Sequence, residues 1–384
     1  MLKLVRLSFV AALVAVGFAA SAAAGPPSRG SYIVVLKPNA GPPAGVAAEL
    51  AARFDGQVSY VYSHALEGFA LTLPTDAVAG LSHDPRIDFV EADGVVTADT
   101  TQSNATWGID RIDQRALPLS HTYTYTATGA GVKAYIIDTG IRFTHTQFGG
   151  RAIKGVDEVT SGGSASDCNG HGTHVSGTVG GSTYGVAKSV TLVAVRVLNC
   201  NGSGTTSGVV AGVDWVTGNH AAGQPAVANM SLGGGVSSAL DTAVRNSIAD
   251  GVSYAIAAGN GNIFGVAQNA CNTSPARVAE AMTVSATNST DTKASWANYG
   301  TCVDWFAPGV SITSAWYSSD TATNTISGTS MATPHTTGVA ALYLQGHPTA
   351  SPATVRSALY TNSTKNVVKS PGSGSPNALL FTNY

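Results

Sequence analysis

The segment Val132-Lys133-Ala134-Tyr135-Ile136-Ile137-Asp138-Thr139-Gly140 joins a nearly unbroken apolar run to an abrupt polar stop. Such a run reads as a strand covered on both faces, and so as part of a parallel sheet flanked by helices. Similar runs recur at residues 190–198, 226–230, 253–258 and 281–285, with helix-compatible segments at 207–220 and 240–250 between them. Strand–helix alternation of this kind predicts one large α/β domain built on a mainly parallel sheet. Asp138 then stands where such sheets gather ligands and catalytic groups, beyond the carboxyl end of a strand. An aspartate there also serves as a plain turn or helix cap.

Upstream the pattern differs. Residues 31–38 read as a strand ended by Pro38, 46–54 as a helix, and 57–62, 68–74 and 87–91 as further strands, with Asp76 placed to cap a short helix through Leu81. This predicts a small α+β domain, either permanent or a removable pro-segment. Residues 99–106 are polar and suit a linker or cleavage region. At the start, Lys3 and Arg6 precede an apolar run at 7–20 that is too short to span a bilayer, and Ala22-Ala23-Ala24 supplies a small-residue cleavage pattern. Residues 1–24 therefore read as a signal peptide, and the mature protein as secreted, extracellular and free of the membrane.

With 11% charged residues and a formal net charge of −2, the chain has no basic field for nucleic acid, and 44% hydrophobic residues suffice for a large core. The four cysteines, Cys168, Cys200, Cys271 and Cys302, travel an oxidising route, so two disulfides are expected. Four cysteines allow three pairings, and the residues alone leave the choice open.

Three further stretches carry chemistry. Gly328-Thr329-Ser330-Met331-Ala332-Thr333-Pro334-His335 delivers a serine just before an apolar helical run. A serine at a helix start is either an ordinary N-cap or a nucleophile whose backbone N–H favours a developing negative charge. Asn169-Gly170-His171-Gly172-Thr173-His174 opens another helix and offers His171 as a general base near neutral pH. A zinc site made by His171, His174, Cys168 and Cys200 is the rival reading, disfavoured by the use of those cysteines as disulfides. Ala258-Gly259-Asn260 ends a strand with a side-chain amide able to donate to an oxyanion, or with a common turn asparagine.

The chain order Asp138, His171, Ser330 disfavours the chymotrypsin-like and α/β-hydrolase arrangements. With the motifs quoted above, the sequence from Trp107 to about Leu359 resembles the subtilisin family, and within it the proteinase K-like branch of secreted enzymes. The resemblance implies a three-layer α/β fold, with the mainly parallel sheet flanked by helices and preceded by a small α+β propeptide. It divides the chain into signal peptide 1–24, inhibitory and chaperoning propeptide 25–99, and peptidase domain 100–384, with no sizeable appended domain.

It also implies roles. Ser330 is the nucleophile, His171 the general base and Asp138 its orienting partner, while Asn260 and the Ser330 N–H form the oxyanion hole. Gly202, Ser203 and Gly204 on one edge, and Ser231, Leu232 and Gly233 on the other, flank an extended substrate. Ser231, Leu232, Ala258 and Gly259 wall a roomy, uncharged first pocket that favours apolar or aromatic side chains. Thr206 departs from the tyrosine of relatives over the fourth subsite. The branch pairs Cys168 with Cys200 and Cys271 with Cys302. It holds structural Ca²⁺ with Asp304 and the carbonyls of Ala279 and Ala281, and in some members with positions matching Asp110, Asp113 and Gln114, although Ser120 and Thr122 replace further ligands here. The implied function is a monomeric, secreted, autoprocessed serine endopeptidase of broad specificity. Its substrates are proteins, and its own propeptide is an intramolecular inhibitor. The alternative is a catalytically silent binding or regulatory protein kept blocked by its prodomain.

Overall fold

The computed structural model describes residues 28–94 and 100–384, so the expected signal peptide and the bond before Thr100 lie outside the described residues. The chain divides into two compact units, Met1–Thr97 and Ala98–Tyr384.

In the first unit the elements are β1 (Arg29–Leu36), α1 (Pro43–Arg53), β2 (Gln57–Ser63), β3 (Glu67–Pro74), α2 (Val78–Ser82) and β4 (Ile87–Ala92). The strands form an antiparallel sheet in the order β2-β3-β1-β4. Phe69, Leu71 and Leu73 alternate onto one face of β3 and pack with Val46, Ala47 and Leu50 of α1, closing a small core. Asp76 makes no cap. It sits in a short 3₁₀ turn, Thr75–Ala77, and α2 starts after Ala77 without a side-chain cap.

The second unit opens with the hairpin of β5 (Thr100–Ser103) and β6 (Thr122–Tyr125), with α3 (Trp107–Ile112) between them. There follow β7 (Lys133–Asp138), β8 (Ala152–Asp157), α4 (His171–Gly180), β9 (Thr191–Arg196), α5 (Thr206–Asn219), β10 (Ala226–Met230), α6 (Ser238–Asp250), β11 (Ser253–Ala257), β12 (Met282–Thr287) and β13 (Trp305–Pro308). The chain continues through the hairpin β14 (Ile312–Ala315) and β15 (Thr323–Ile326), then α7 (Thr329–Gly346), α8 (Pro352–Asn362), β16 (Thr364–Lys365) and β17 (Ala378–Leu379).

The main sheet runs β16-β17-β13-β12-β11-β10-β7-β9-β8 and is parallel except at β16. Alternation along β7 explains its two covered faces. Ala134 and Ile136 join the core under α4, α7 and α8, whereas Tyr135 and Ile137 join the core under α5 and α6. From β7 the chain fills one side with β8 and β9, then crosses to β10 on the other. The strand order thus reverses between β7 and β10, the point at which doubly wound sheets open a crevice at their carboxyl ends. A buried two-pronged ion pair, Arg111 to Asp291 at 2.7 and 3.0 Å, ties α3 to the loop after β12.

Candidate active site

Asp138, the last residue of β7, is fully buried at that crevice. Its carboxylate accepts the Thr139 N–H at 2.7 Å and faces His171 Nδ1 at 2.8 and 2.9 Å. A carboxylate only accepts, so Nδ1 carries the proton and the basic lone pair of His171 lies on Nε2. His171 is the first residue of α4 and keeps 24% of its side chain exposed. Burial disfavours its imidazolium, but the charge and hydrogen bond of Asp138, with a smaller contribution from Asp167, outweigh that and hold its pKa above the ordinary value. The two motifs touch through backbone: a Cβ on Gly172 would collide with the Gly140 carbonyl, and the Gly172 N–H donates to Thr139 Oγ1 at 2.9 Å.

His174 has a different task. It is fully buried, donates from Nε2 to the Ile312 carbonyl at 3.0 Å, and is pushed down to about 4 by burial. Cys168 and Cys200 are joined in a disulfide, as are Cys271 and Cys302. The zinc reading fails with its ligands committed elsewhere. Among the described residues, no three His, Cys, Asp or Glu side chains gather as a metal site.

Ser330 sits in the first turn of α7, where backbone N–H groups have no partner within the helix. Four residues on is Pro334, which lacks the N–H that would have bonded the Ser330 carbonyl. Ser231 takes that place, its hydroxyl donating to the Ser330 carbonyl at 2.8 Å, while Ser330 Oγ donates to the Ser231 carbonyl at 3.1 Å. The chain of bonds continues inward. Asn229 Nδ2 donates to Ser231 Oγ at 2.9 Å, and Thr337 Oγ1 donates to Asn229 Oδ1 at 3.0 Å. Asn229 and Thr337, which the sequence reading missed, thereby stitch β10 to α7 behind the serine.

Asn260 is oriented by Thr329, which adjoins it on the same wall of the cleft. Its Oδ1 accepts both the N–H and the hydroxyl of Thr329, each at 2.8 Å, which assigns Nδ2 as the free donor beside Gly328. Gly259 has φ +101°, and a side chain there would strike Asn298, whose amide grips the Ala258 carbonyl at 2.8 Å and the Gly261 N–H at 3.0 Å.

Two cavities meet along residues 232–235. One, of about 550 Å³, is lined by His171, by 201–206 including Thr206, and by Ser231. The other, of about 370 Å³, is lined by Ala257, Gly259, Asn260 and Ser330. The predicted base, nucleophile, amide donor and both substrate edges therefore converge on one cleft. Ala258 does not line it: the side chain is fully buried in the core, and Ala257 and Gly259 take its place on the wall.

The two expected calcium positions differ. Asp304 lines a cavity of about 910 Å³ with Ala279 and Arg356. Its carboxylate accepts the Thr283 N–H at 2.7 Å and pairs with Arg356 Nε at 2.9 Å, yet burial still holds the carboxyl above its usual range. Oxygen ligands of this kind suit a hard divalent cation, but both Asp304 oxygens are engaged and Ala281 does not line the cavity, so a cation bound there would have to displace Arg356 from the carboxylate. The second set does not fit. Asp110 already accepts Ser120 N–H, Ser120 Oγ and His121 N–H, and Gln114 Oε1 accepts Ser120 N–H. Of these three side chains, Asp113 alone keeps a buried oxygen without a partner, and burial, with the Asp110 charge, raises it to about 6.

Residues 129–378 match the Subtilase family, and residues 31–99 match Peptidase inhibitor I9. An extracellular serine proteinase of Thermus sp. (strain Rt41A) is 62% identical over 85% of this chain and 78% of its own length. Alkaline serine exoprotease A of Vibrio alginolyticus is 53% identical over 85% of this chain and 60% of its own length. A crystal structure of a cold adapted subtilisin-like serine proteinase, 55% identical, superposes on 73% of this chain and 100% of its own with a TM-score of 0.70.

Proposed function

The chain belongs to the subtilase family, in its proteinase K-like branch, and from that premise we propose that Ser330, His171 and Asp138 carry its serine endopeptidase activity. The observation that carries this reading is the His171–Asp138 pair at 2.8 Å on the cleft that Ser330 also lines. Ser330 Oγ leaves the Ser231 carbonyl, gives its proton to His171 Nε2 and bonds to the scissile carbonyl carbon. Asp138 keeps Nδ1 protonated and stabilises the imidazolium that forms. The carbonyl oxygen, now an oxyanion, receives the Asn260 Nδ2–H and the Ser330 N–H. His171 then protonates the leaving amine, and water releases the acyl group by the same steps in reverse order of roles.

The uncharged walls at 231–234, with Ala257 and Gly259, support broad specificity with large apolar or aromatic side chains in the first pocket. Residues 202–204 and 231–233 would hold extended substrate by strand addition. Residues 25–99, overlapping the inhibitor match, act as the propeptide and are cut off before Thr100. The peptidase works as a secreted monomer; the Thermus relative is extracellular, and among the described residues no helix is long and apolar enough to cross a membrane. Calcium, when bound, would be held by Asp304 with the Ala279 and Ala281 carbonyls and would stiffen that side of the domain.

Casein hydrolysis by the processed protein should be abolished by a sulfonyl fluoride, and Ser330→Ala, purified free of other proteases, should retain residues 25–99. Activity insensitive to the reagent would sink the reading, and a processed but inactive protein would favour the silent alternative.

A further inference from the structure

Asp167 lies in the turn before α4, and its carboxylate collects five donors. Oδ1 accepts the Thr139 hydroxyl, the Asn169 N–H and the Gly170 N–H, each at 2.9 Å. Oδ2 accepts the Thr173 N–H at 2.9 Å and the Thr173 hydroxyl at 2.6 Å. These donors belong to the two stretches that must meet for catalysis, the turn after Asp138 and the first turn around His171. Thr139 is shared by both, since its Oγ1 also accepts the Gly172 N–H. The adjacent Cys168 is bonded to Cys200, the residue before Asn201 of the cleft lining. A carboxylate satisfies all five donors at once, whereas an amide offers one acceptor oxygen and must abandon either the Oδ1 donors, Thr139 among them, or the two Thr173 donors.

We infer that Asp167, which does not line the cleft, is a positioning residue: it locks the His171 turn onto the Asp138–Gly140 turn and sets a second negative charge beside the imidazole. The inference rests on the reading of Asp138, His171 and Ser330 as the catalytic set. The charged and titratable groups around His171 leave few rivals for this effect. Asp138 faces it from β7, and His174 on α4 and His335 on α7 are each pushed down to about 4 by burial and stay neutral. Arg196 on β9 is paired with Asp157, and β14 carries no ionisable side chain.

The test is the pH dependence of kcat and KM on a chromogenic peptide anilide with the processed enzyme. His171 must be neutral to act as a base, so activity falls as pH drops through its pKa. Removing a nearby negative charge lowers that pKa. Asp167→Asn should therefore move the acid limb to lower pH and cut kcat by about tenfold or more, with KM little changed. Asp167→Glu keeps the charge, so its acid limb should stay at the wild-type position. Thr139→Val removes the link between the two turns but keeps both carboxylates, so kcat should fall with the acid limb unmoved.

An active Asp167→Asn enzyme with a wild-type acid limb, or with its loss confined to KM, overturns the inference. If Asp167→Asn does not accumulate as processed protein, wild-type kcat in Thr139→Val overturns it instead. A wild-type protein without sulfonyl fluoride-sensitive turnover overturns the underlying site reading, which is a distinct outcome.

Discussion

The two sides of the cleft are built from different chemistry. The base side is held by carboxylates: Asp138 against the imidazole, and Asp167 gathering the turns on either side of it. The nucleophile side is held by neutral groups: the Thr329 hydroxyl and N–H on Asn260, and the Ser231, Asn229 and Thr337 chain behind Ser330. The division matches the charges of the reaction. In the proposed mechanism a cation develops on His171 and is met by anions, whereas an anion develops beside Ser330 and is met by N–H donors with no competing carboxylate in their network. An acidic residue on the serine side would repel the oxyanion, and a cation beside Asp138 would lower the basicity of the imidazole.

Substitutions can break this contrast in graded steps. The largest effect is expected from Asp138→Asn, which presents an amide to His171 and favours the wrong tautomer. A loss of kcat of about 10⁴, the cost of the like change in a chymotrypsin-type triad, is expected in steady-state assays near neutral pH. Asn260→Ala comes next, at about 10²–10³ in kcat, the cost of one such donor in subtilisin. That loss should be the same at every pH, because no titrating group is involved, and a pH-dependent loss would blur the two sides into one. The smallest effect is expected from Thr329→Val. It removes one of the two bonds on the Asn260 oxygen but keeps the backbone N–H, and a neutral hydrogen bond contributes about 0.5–1.5 kcal/mol. A fall in kcat of up to about tenfold with KM unchanged is expected from progress curves on the same peptide.

Much of this architecture was legible in the sequence, because it depends on periodicity and on the residues just past the end of a strand. The apolar run at 132–137 is a central strand, and Asp138, His171, Asn260 and Ser330 gather around the cleft at the carboxyl side of the sheet. The remainder depends on contacts that no local pattern encodes. Asn229 and Thr337 are 108 residues apart and acquire a joint role only when α7 lies on β10. Asp167 looks like an ordinary turn aspartate until the Asp138 turn, remote in sequence, supplies its other donor. Arg356 reaches Asp304 across 52 residues, so one expected calcium ligand shares its charge with an arginine. Residues 262–266 show the converse case. Ile263 and Phe264 are large and apolar, yet they are 93% and 81% exposed on a loop pinned by Asn262.

The placement of Ser330 on α7 also governs how the enzyme can fail. That helix is buried along nearly all of its length and rests on β10, β11, β12 and β13. Elements of this kind exchange their amide hydrogens only when the whole domain opens, whereas surface loops open alone at small cost. The proposed nucleophile is therefore borne by an element expected to come loose only with the domain as a whole. Fraying at the rim exposes loops to cutting by neighbouring molecules of the same enzyme, but it leaves the serine and its network standing. Loss of activity on heating should then coincide with global unfolding, and survival among its own kind becomes a matter of the unfolding rate.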